Sequence, residues 1–252
     1  MTLSHSKVAL VLGGSGGIGA AIAKQLAGKG IKVIIQYYKN IELANNVIES
    51  INRSSLNLAV GIHADLGNEN ECEGLVKEII EEYGAIDYVI QSASPSNNPL
   101  GFKDLAWQDV KEQIDINVRS VFLILEKILP QMEARGEGSI VFLGSCYTSA
   151  TPPTNQLRYI VAKSALTSMA KCLAVEYGPK NIRINTVSPG MTETNMITNL
   201  PEKVKLTTKM QTPLRKLGNA SDVAKLVEFL LSSEASHITG QNFRVDGGMV
   251  MD

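Results

Sequence analysis

The sequence predicts one α/β domain, residues 1–252, built on a doubly wound parallel sheet of about seven strands with helices on both faces. Three observations carry this reading. Apolar runs of four to six residues alternate with longer amphipathic stretches, the pattern of repeated βαβ units. A glycine cluster separates the first apolar run from the first amphipathic stretch. No repeat, low-complexity tract or linker divides the chain, and 252 residues suit a single α/β domain.

Lys7–Leu12 is the first strand. Ile18, Ala21, Ile22 and Leu26 then recur at helical spacing, so a helix covers Ile18–Gly28. Lys32–Tyr37 is the second strand and Ile41–Ile51 the second helix. Asn57–Ile62 and Glu69–Tyr83 repeat the pair, and Ile86–Gln91 is the fourth strand. Helical material fills Trp107–Ala134, followed by a fifth strand, Ser139–Gly144, a helix, Leu157–Tyr177, and a sixth strand, Ile182–Val187. Ser221–Leu231 is the last helix and Asn242–Val245 a short last strand. Right-handed crossovers wind such units into a parallel sheet covered on both faces.

Composition excludes several classes of function. Lys and Arg number 24 against 25 Asp and Glu, a net charge of −1, and no long basic run announces nucleic acid. Apolar runs such as Ile140–Leu143 are far too short to span a bilayer. Met1–Lys7 lacks the charged-then-apolar order of a signal peptide. Cys72, Cys146 and Cys172 follow neither CxxC nor zinc spacing and read as reduced thiols of a cytoplasmic protein. His5, His63 and His237 stand apart from one another and from any triad pattern, so no metal site is expected and surface or packed histidines are.

The glycine cluster is Leu12-Gly13-Gly14-Ser15-Gly16-Gly17-Ile18-Gly19. Glycines allow a tight turn and a close backbone approach, and the following helix N-terminus offers free N–H groups to an anion. Between a strand and a helix, this is the setting of a Rossmann-type dinucleotide site, with Gly13, Ser15, Gly17, Ile18 and Gly19 as cofactor-binding residues. The spacing resembles the TGxxxGIG motif of the short-chain dehydrogenase/reductase family, with Leu12 in place of the usual Thr. The resemblance covers nearly the whole chain. It implies that Asp65, beside Leu66, meets the adenine amino group; as a residue type, Asp there serves equally as a helix N-cap. The fourth strand ends Gln91-Ser92-Ala93-Ser94 where the family usually reads NNAG. Ala93 matches, and the Asn-mediated bracing of the sheet is what the departure puts in question.

Tyr159 and Lys163 fall at i and i+4 of the helix Leu157–Tyr177 and share a face. An ammonium beside a phenol favours the phenolate, so Lys163 is expected to lower the Tyr159 pKa from its ordinary value of about 10. The order of Gly turn, Asn117, strand-end Ser145, Tyr-x-x-x-Lys and Asn185-Thr186-Val187-Ser188-Pro189-Gly190 matches the family throughout. The resemblance implies a catalytic tetrad of Asn117, Ser145, Tyr159 and Lys163, with Tyr159 and Lys163 also touching cofactor. Pro189, Gly190 and Thr194 then take the nicotinamide side. Fourteen positions separate Ser145 from Tyr159, where thirteen is usual; strict spacing would put Cys146 in the serine's place. Gly144-Ser145 ends the strand as the family pattern does, so Ser145 is the expected residue and the extra one belongs to Thr148–Asn155.

The second strand ends Gln36-Tyr37-Tyr38-Lys39 without a carboxylate to repel a 2′-phosphate, and Lys39 can pair with one. NADP (NADPH) is therefore expected over NAD. The resemblance is nearest to the 3-oxoacyl-thioester reductases, which implies a small-molecule ketone substrate, thioester-linked in that group, reduced to a secondary alcohol. A sugar-, steroid- or other secondary-alcohol dehydrogenase shares every motif, and a non-catalytic NADP sensor is the remaining alternative. The substrate mouth is expected at Pro95–Phe102, Thr148–Asn155 and a lid at about 191–213. The family's paired long helices imply a homotetramer.

Overall fold

A computed structural model of the chain describes residues 7–54, 58–198 and 200–251. His5 and Asn57, the first residue of the expected third strand, lie outside them. Among the described residues the chain forms nine strands and eight α-helices in the order β1 (Val8–Leu12), α1 (Gly17–Ala27), β2 (Lys32–Tyr37), α2 (Ile41–Ser54), β3 (Ala59–His63), α3 (Glu69–Tyr83) and β4 (Tyr88–Gln91). There follow α4 (Trp107–Ile114), α5 (Ser120–Arg135), β5 (Gly138–Leu143), α6 (Leu157–Tyr177), β6 (Ile182–Pro189) and β7 (Thr192–Glu193). The chain closes with α7 (Glu202–Gln211), β8 (Gly218–Asn219), α8 (Ala220–Leu231) and β9 (Asn242–Val245).

Seven strands pair in parallel in the order β3-β2-β1-β4-β5-β6-β9, and β7 pairs with β8 apart from them. The order reverses between β1 and β4, the switch point outside which ligands bind in such sheets. β1 reads as an unbroken apolar run because both its faces are covered: all five residues are buried. Leu10, Leu12 and Ile34 meet α3, α5 and α6 on one side, while Val11, Val33 and Ile35 meet α1, α2 and α8 on the other.

Two features of the connections were not expected. The helical stretch after Ala106 is not continuous: one π-type turn, Asp115–Arg119, divides α4 from α5. The segment 191–213 is not a bare loop but holds β7 and α7. β6, with many polar residues, is nonetheless buried because its side chains bond to the chain folded over it. Asn185 donates to the Ile238 carbonyl (2.9 Å) and accepts from the Gln241 amide (3.1 Å). Arg183 donates to the carbonyls of Leu230, Leu231 and Ser232 at the open C-terminus of α8. The Asn-x-Val-Ser-Pro-Gly stretch is thus held first by structure, and it delivers Pro189 and Gly190 to the sheet's carboxyl edge.

Candidate active site

The glycine turn is fixed by backbone need. Gly13 (φ +74°) lies so close to the fourth strand that a Cβ there would stand 2.6 Å from Ala93 Cα, and one on Gly19 would stand 2.3 Å from the Gly13 carbonyl oxygen. Gly16, at the N-cap of α1, faces open space, and no side chain caps that helix nor does an acid stand in its first turn. The free N–H groups and dipole of α1 therefore point at room for an anion. Ser15 is half-buried on this turn, while Ile18 packs back into the core against α1's own layer. Thr194 stands across the turn, its Cβ 3.6 Å from where a Gly17 Cβ would lie. Gly190 bonds through its amide to the Val245 carbonyl (3.0 Å) and abuts Asp246. This cradle fits the pyrophosphate of a dinucleotide.

Leu12, in the place of the usual Thr, is fully buried, and a glutamine does the local bonding. Gln36 Oε1 accepts from the Gly13 amide (2.8 Å) and its Nε2 donates to the Ala64 carbonyl (2.7 Å), tying the turn to β2 and β3. Leu66 is buried in the core. Asp65 is not a helix N-cap: Asn68 caps α3, Asp65 accepts from the Gly67 amide (2.8 Å), and its carboxylate raises the pKa of the Tyr38 phenol. Lys39 Nζ lies 5.4 Å from the Tyr38 ring centroid. His63, read from sequence as an isolated histidine, stands between Tyr37 and Tyr38 with ring centroids 5.7 Å from each. The parallel register that pairs Tyr37 with His63 brings it to this corner, a signal that lies in strand pairing and not in any motif.

At the other end, Ser145 follows β5 and Tyr159 and Lys163 follow on one face of α6. The Ser145 hydroxyl stands close enough to the Tyr159 hydroxyl to favour the phenolate, a smaller effect than burial. Lys163 is buried; its ammonium donates to the Leu143 carbonyl (2.7 Å) and lies 5.8 Å from the Tyr159 ring centroid. Burial decides both ionisations. It pushes the Tyr159 phenol up to about 12 and the Lys163 ammonium down to about 7. The expectation that Lys163 lowers the phenol's pKa is corrected for the protein alone: desolvation by burial is the largest influence and raises it, while the Lys163 ammonium is turned to the Leu143 carbonyl, and the phenol keeps its proton. Cys146 is wholly buried next to Ser145 and its thiol is pushed up to about 12 by that burial, so it is not a ready nucleophile.

Asn117 sits in the π-type turn, fully buried. Its Nδ2 donates to the carbonyl of Gln113 (2.9 Å), while its Oδ1 has no hydrogen-bond partner among the described residues. A π-type turn leaves carbonyls without their usual helical partners. Gln91 meets this need, donating to the carbonyls of Ile116 (2.9 Å) and Asn117 (3.3 Å) and accepting from the Ala93 amide (3.0 Å). Gln91 thus does the bracing that the missing Asn put in question. Together with Gln36 and Gln113 it is a site residue the motifs did not reveal; each is a buried amide amid apolar neighbours. Among the described residues no group of three or more His, Cys, Asp or Glu side chains stands together as a metal site, and no helix is long and apolar enough to cross a membrane.

A hydroxyl pair at a strand end, a buried ammonium behind it and a dinucleotide-shaped cradle along the same sheet edge is the layout of a carbonyl–alcohol oxidoreductase. Comparison with known proteins agrees. A family model described as enoyl-(acyl carrier protein) reductase matches residues 13–250. A 3-oxoacyl-[acyl-carrier-protein] reductase, FabG, of Staphylococcus aureus is 34% identical over 251 residues, covering 99% of this chain and all of that protein. The chain belongs to the short-chain dehydrogenase/reductase family. Human dehydrogenase/reductase SDR family member 4 is 33% identical over 245 residues, 96% of this chain and 87% of that one. The crystal structure of YwfH, an NADPH-dependent reductase involved in bacilysin biosynthesis, superposes with a TM-score of 0.89 over 98% of this chain and 99% of that one, at 24% identity. As a short-chain dehydrogenase/reductase the chain acts between CH–OH and C=O with a nicotinamide cofactor.

Proposed function

We propose that the protein is an NADP(H)-dependent reductase of small-molecule ketones, 3-oxoacyl thioesters being the substrate class, with Asn117, Ser145, Tyr159 and Lys163 as its catalytic residues. The observation that carries this is the Ser145–Tyr159 hydroxyl pair backed by the buried Lys163. In this reading the substrate carbonyl oxygen accepts from both hydroxyls. The bound nicotinamide supplies the hydride. Tyr159 gives its proton to the oxygen as charge develops there, and Ser145 holds that oxygen in line. Lys163, buried behind the phenol, orients the nicotinamide ribose and returns a proton to Tyr159. Asn117 braces the π-type turn beside Lys163. Gly13, Ser15, Gly17, Ile18, Gly19 and Thr194 cradle the pyrophosphate, Asp65 with Leu66 takes the adenine, and Ala93, Pro189 and Gly190 flank the nicotinamide side. Segment 191–213 closes over the substrate, and the cytoplasm is the proposed location.

The test is reduced-cofactor oxidation with 3-oxoacyl thioesters beside 2-enoyl thioesters and sugar and steroid ketones. Enoyl reduction is the second reading because the matching family model carries that description. The i, i+4 spacing of Tyr159 and Lys163 behind Ser145 favours the ketone, so the 3-oxoacyl member should turn over fastest. Turnover of the enoyl member alone would reverse the assignment.

With no carboxylate at the end of β2, NADPH should bind several-fold more tightly than NADH in a fluorescence titration. Lys39→Ala should weaken NADPH by about fivefold, the scale of an exposed ion pair worth about 1 kcal/mol, and leave NADH unchanged. Equal affinities in the parent protein would overturn the cofactor assignment. Assembly is expected to be a homotetramer. Phe122 on α5 and Leu157, Val161 and Val175 on α6 are exposed apolar residues on the two long helices, whereas Leu166 lies in the core. A monomer mass by light scattering at micromolar concentration would refute it.

A further inference from the structure

The loop that leaves β4 after Gln91 passes Ala93 at the glycine turn and runs to the exposed Phe102 without regular structure. Among the described residues it is held chiefly by the residues just ahead of Tyr159, with one longer contact from Gln113 Nε2 on α4 to the Ser96 carbonyl (3.4 Å). The Leu100 amide donates to the Asn155 carbonyl (3.0 Å), and Asn97 Nδ2 donates to Gln156 Oε1 (2.5 Å). Arg158, the neighbour of Tyr159, closes the strap: Nη2 donates to the Asn98 carbonyl (2.9 Å), and Nη1 lies 3.6 Å from Asp109 Oδ1 on α4. A planar guanidinium can hold two partners at fixed angles, which a single ammonium cannot. Asp109 is anchored independently, accepting from the Ala106 amide through its other oxygen (2.9 Å). Arg158 Nε and Asn97 Oδ1 are buried without a hydrogen-bond partner among the described residues.

We infer that Arg158 is a positioning residue that fixes the substrate-side loop 95–101 against the helix carrying Tyr159 and thereby sets which ketones reach the phenol. This rests on the reductase reading above. The loop stands outside the carboxyl end of β4, where substrates enter such sheets, so a long substrate must lie along it while a short one need not. Loss of the clamp frees the loop without disturbing Tyr159, Lys163 or the glycine cradle.

The test compares Arg158→Ala and Arg158→Lys with the parent protein on a long-chain 3-oxoacyl N-acetylcysteamine thioester and on ethyl acetoacetate. Arg158→Ala should lower kcat/KM for the long substrate by about tenfold or more, through KM, the scale of one charge-assisted hydrogen bond. The short ketone should change by less than about twofold, with NADPH affinity unaltered. Arg158→Lys should recover part of the loss. Hydrogen exchange supplies a readout independent of turnover: the Leu100 amide should exchange about tenfold faster in Arg158→Ala, with core amides unchanged. Equal losses on both substrates, or an unchanged Leu100 amide, would overturn the inference. A parent protein inactive on every ketone would overturn the reductase reading instead, while the exchange measurement would still decide whether Arg158 holds the loop.

Discussion

Tyr159→Phe is expected to lower turnover by about 10²–10⁴-fold on any ketone the parent protein reduces, with NADPH affinity little changed. In the proposed mechanism the phenol, beside the Ser145 hydroxyl, gives its proton to the substrate carbonyl oxygen. Burial holds it protonated, pushed up to about 12, which suits an acid in the reductive direction. Its loss of a proton therefore does not limit reduction between about pH 6 and 9, because the free-protein pKa lies above that window. The phenylalanine variant keeps the ring and its packing, so a fall in turnover with intact NADPH binding isolates the hydroxyl. Steady-state rates paired with a cofactor titration read both quantities.

Ser145→Ala should cost about 10²–10³-fold in turnover, the scale of one donor lost from a developing oxyanion, whereas Cys146→Ala should leave turnover within about twofold. The two residues adjoin in sequence but not in chemistry. Ser145 is at the end of β5 and meets Tyr159; Cys146 points into the core, and its thiol stays protonated. The reverse result would place the strand end one residue further along and make the Ser145–Tyr159 contact incidental.

Most of the fold was legible because apolar periodicity and punctuation agree: β1 through β6 and α1, α2, α3 and α6 lie within a few residues of where alternation and helical spacing put them. The glycine turn was legible because only glycine tolerates its approach to Ala93. Less was visible where a structure depends on a partner distant in sequence. The π-type turn around Asn117 leaves no periodic mark, and the amides that support the site, Gln36 and Gln91, look like ordinary polar residues until β2 and β4 are set beside β1. His63 reaches the corner beside Tyr37 and Tyr38 through its register with Tyr37. Charge proximity along α6 misjudged the Tyr159 phenol, because i, i+4 spacing says nothing about desolvation, and burial dominates both ionisable groups.

The proton-donor role of Tyr159 is tested most directly by following NADPH oxidation on a 3-oxoacyl thioester with parent protein and Tyr159→Phe at matched cofactor saturation. If the phenol protonates the substrate oxygen, the parent converts ketone to secondary alcohol with one NADPH consumed per alcohol formed. The variant then binds NADPH normally and turns over at least about a hundredfold more slowly. A variant that matched the parent's rate, or a parent that bound NADPH and reduced none of the ketones, would contradict it.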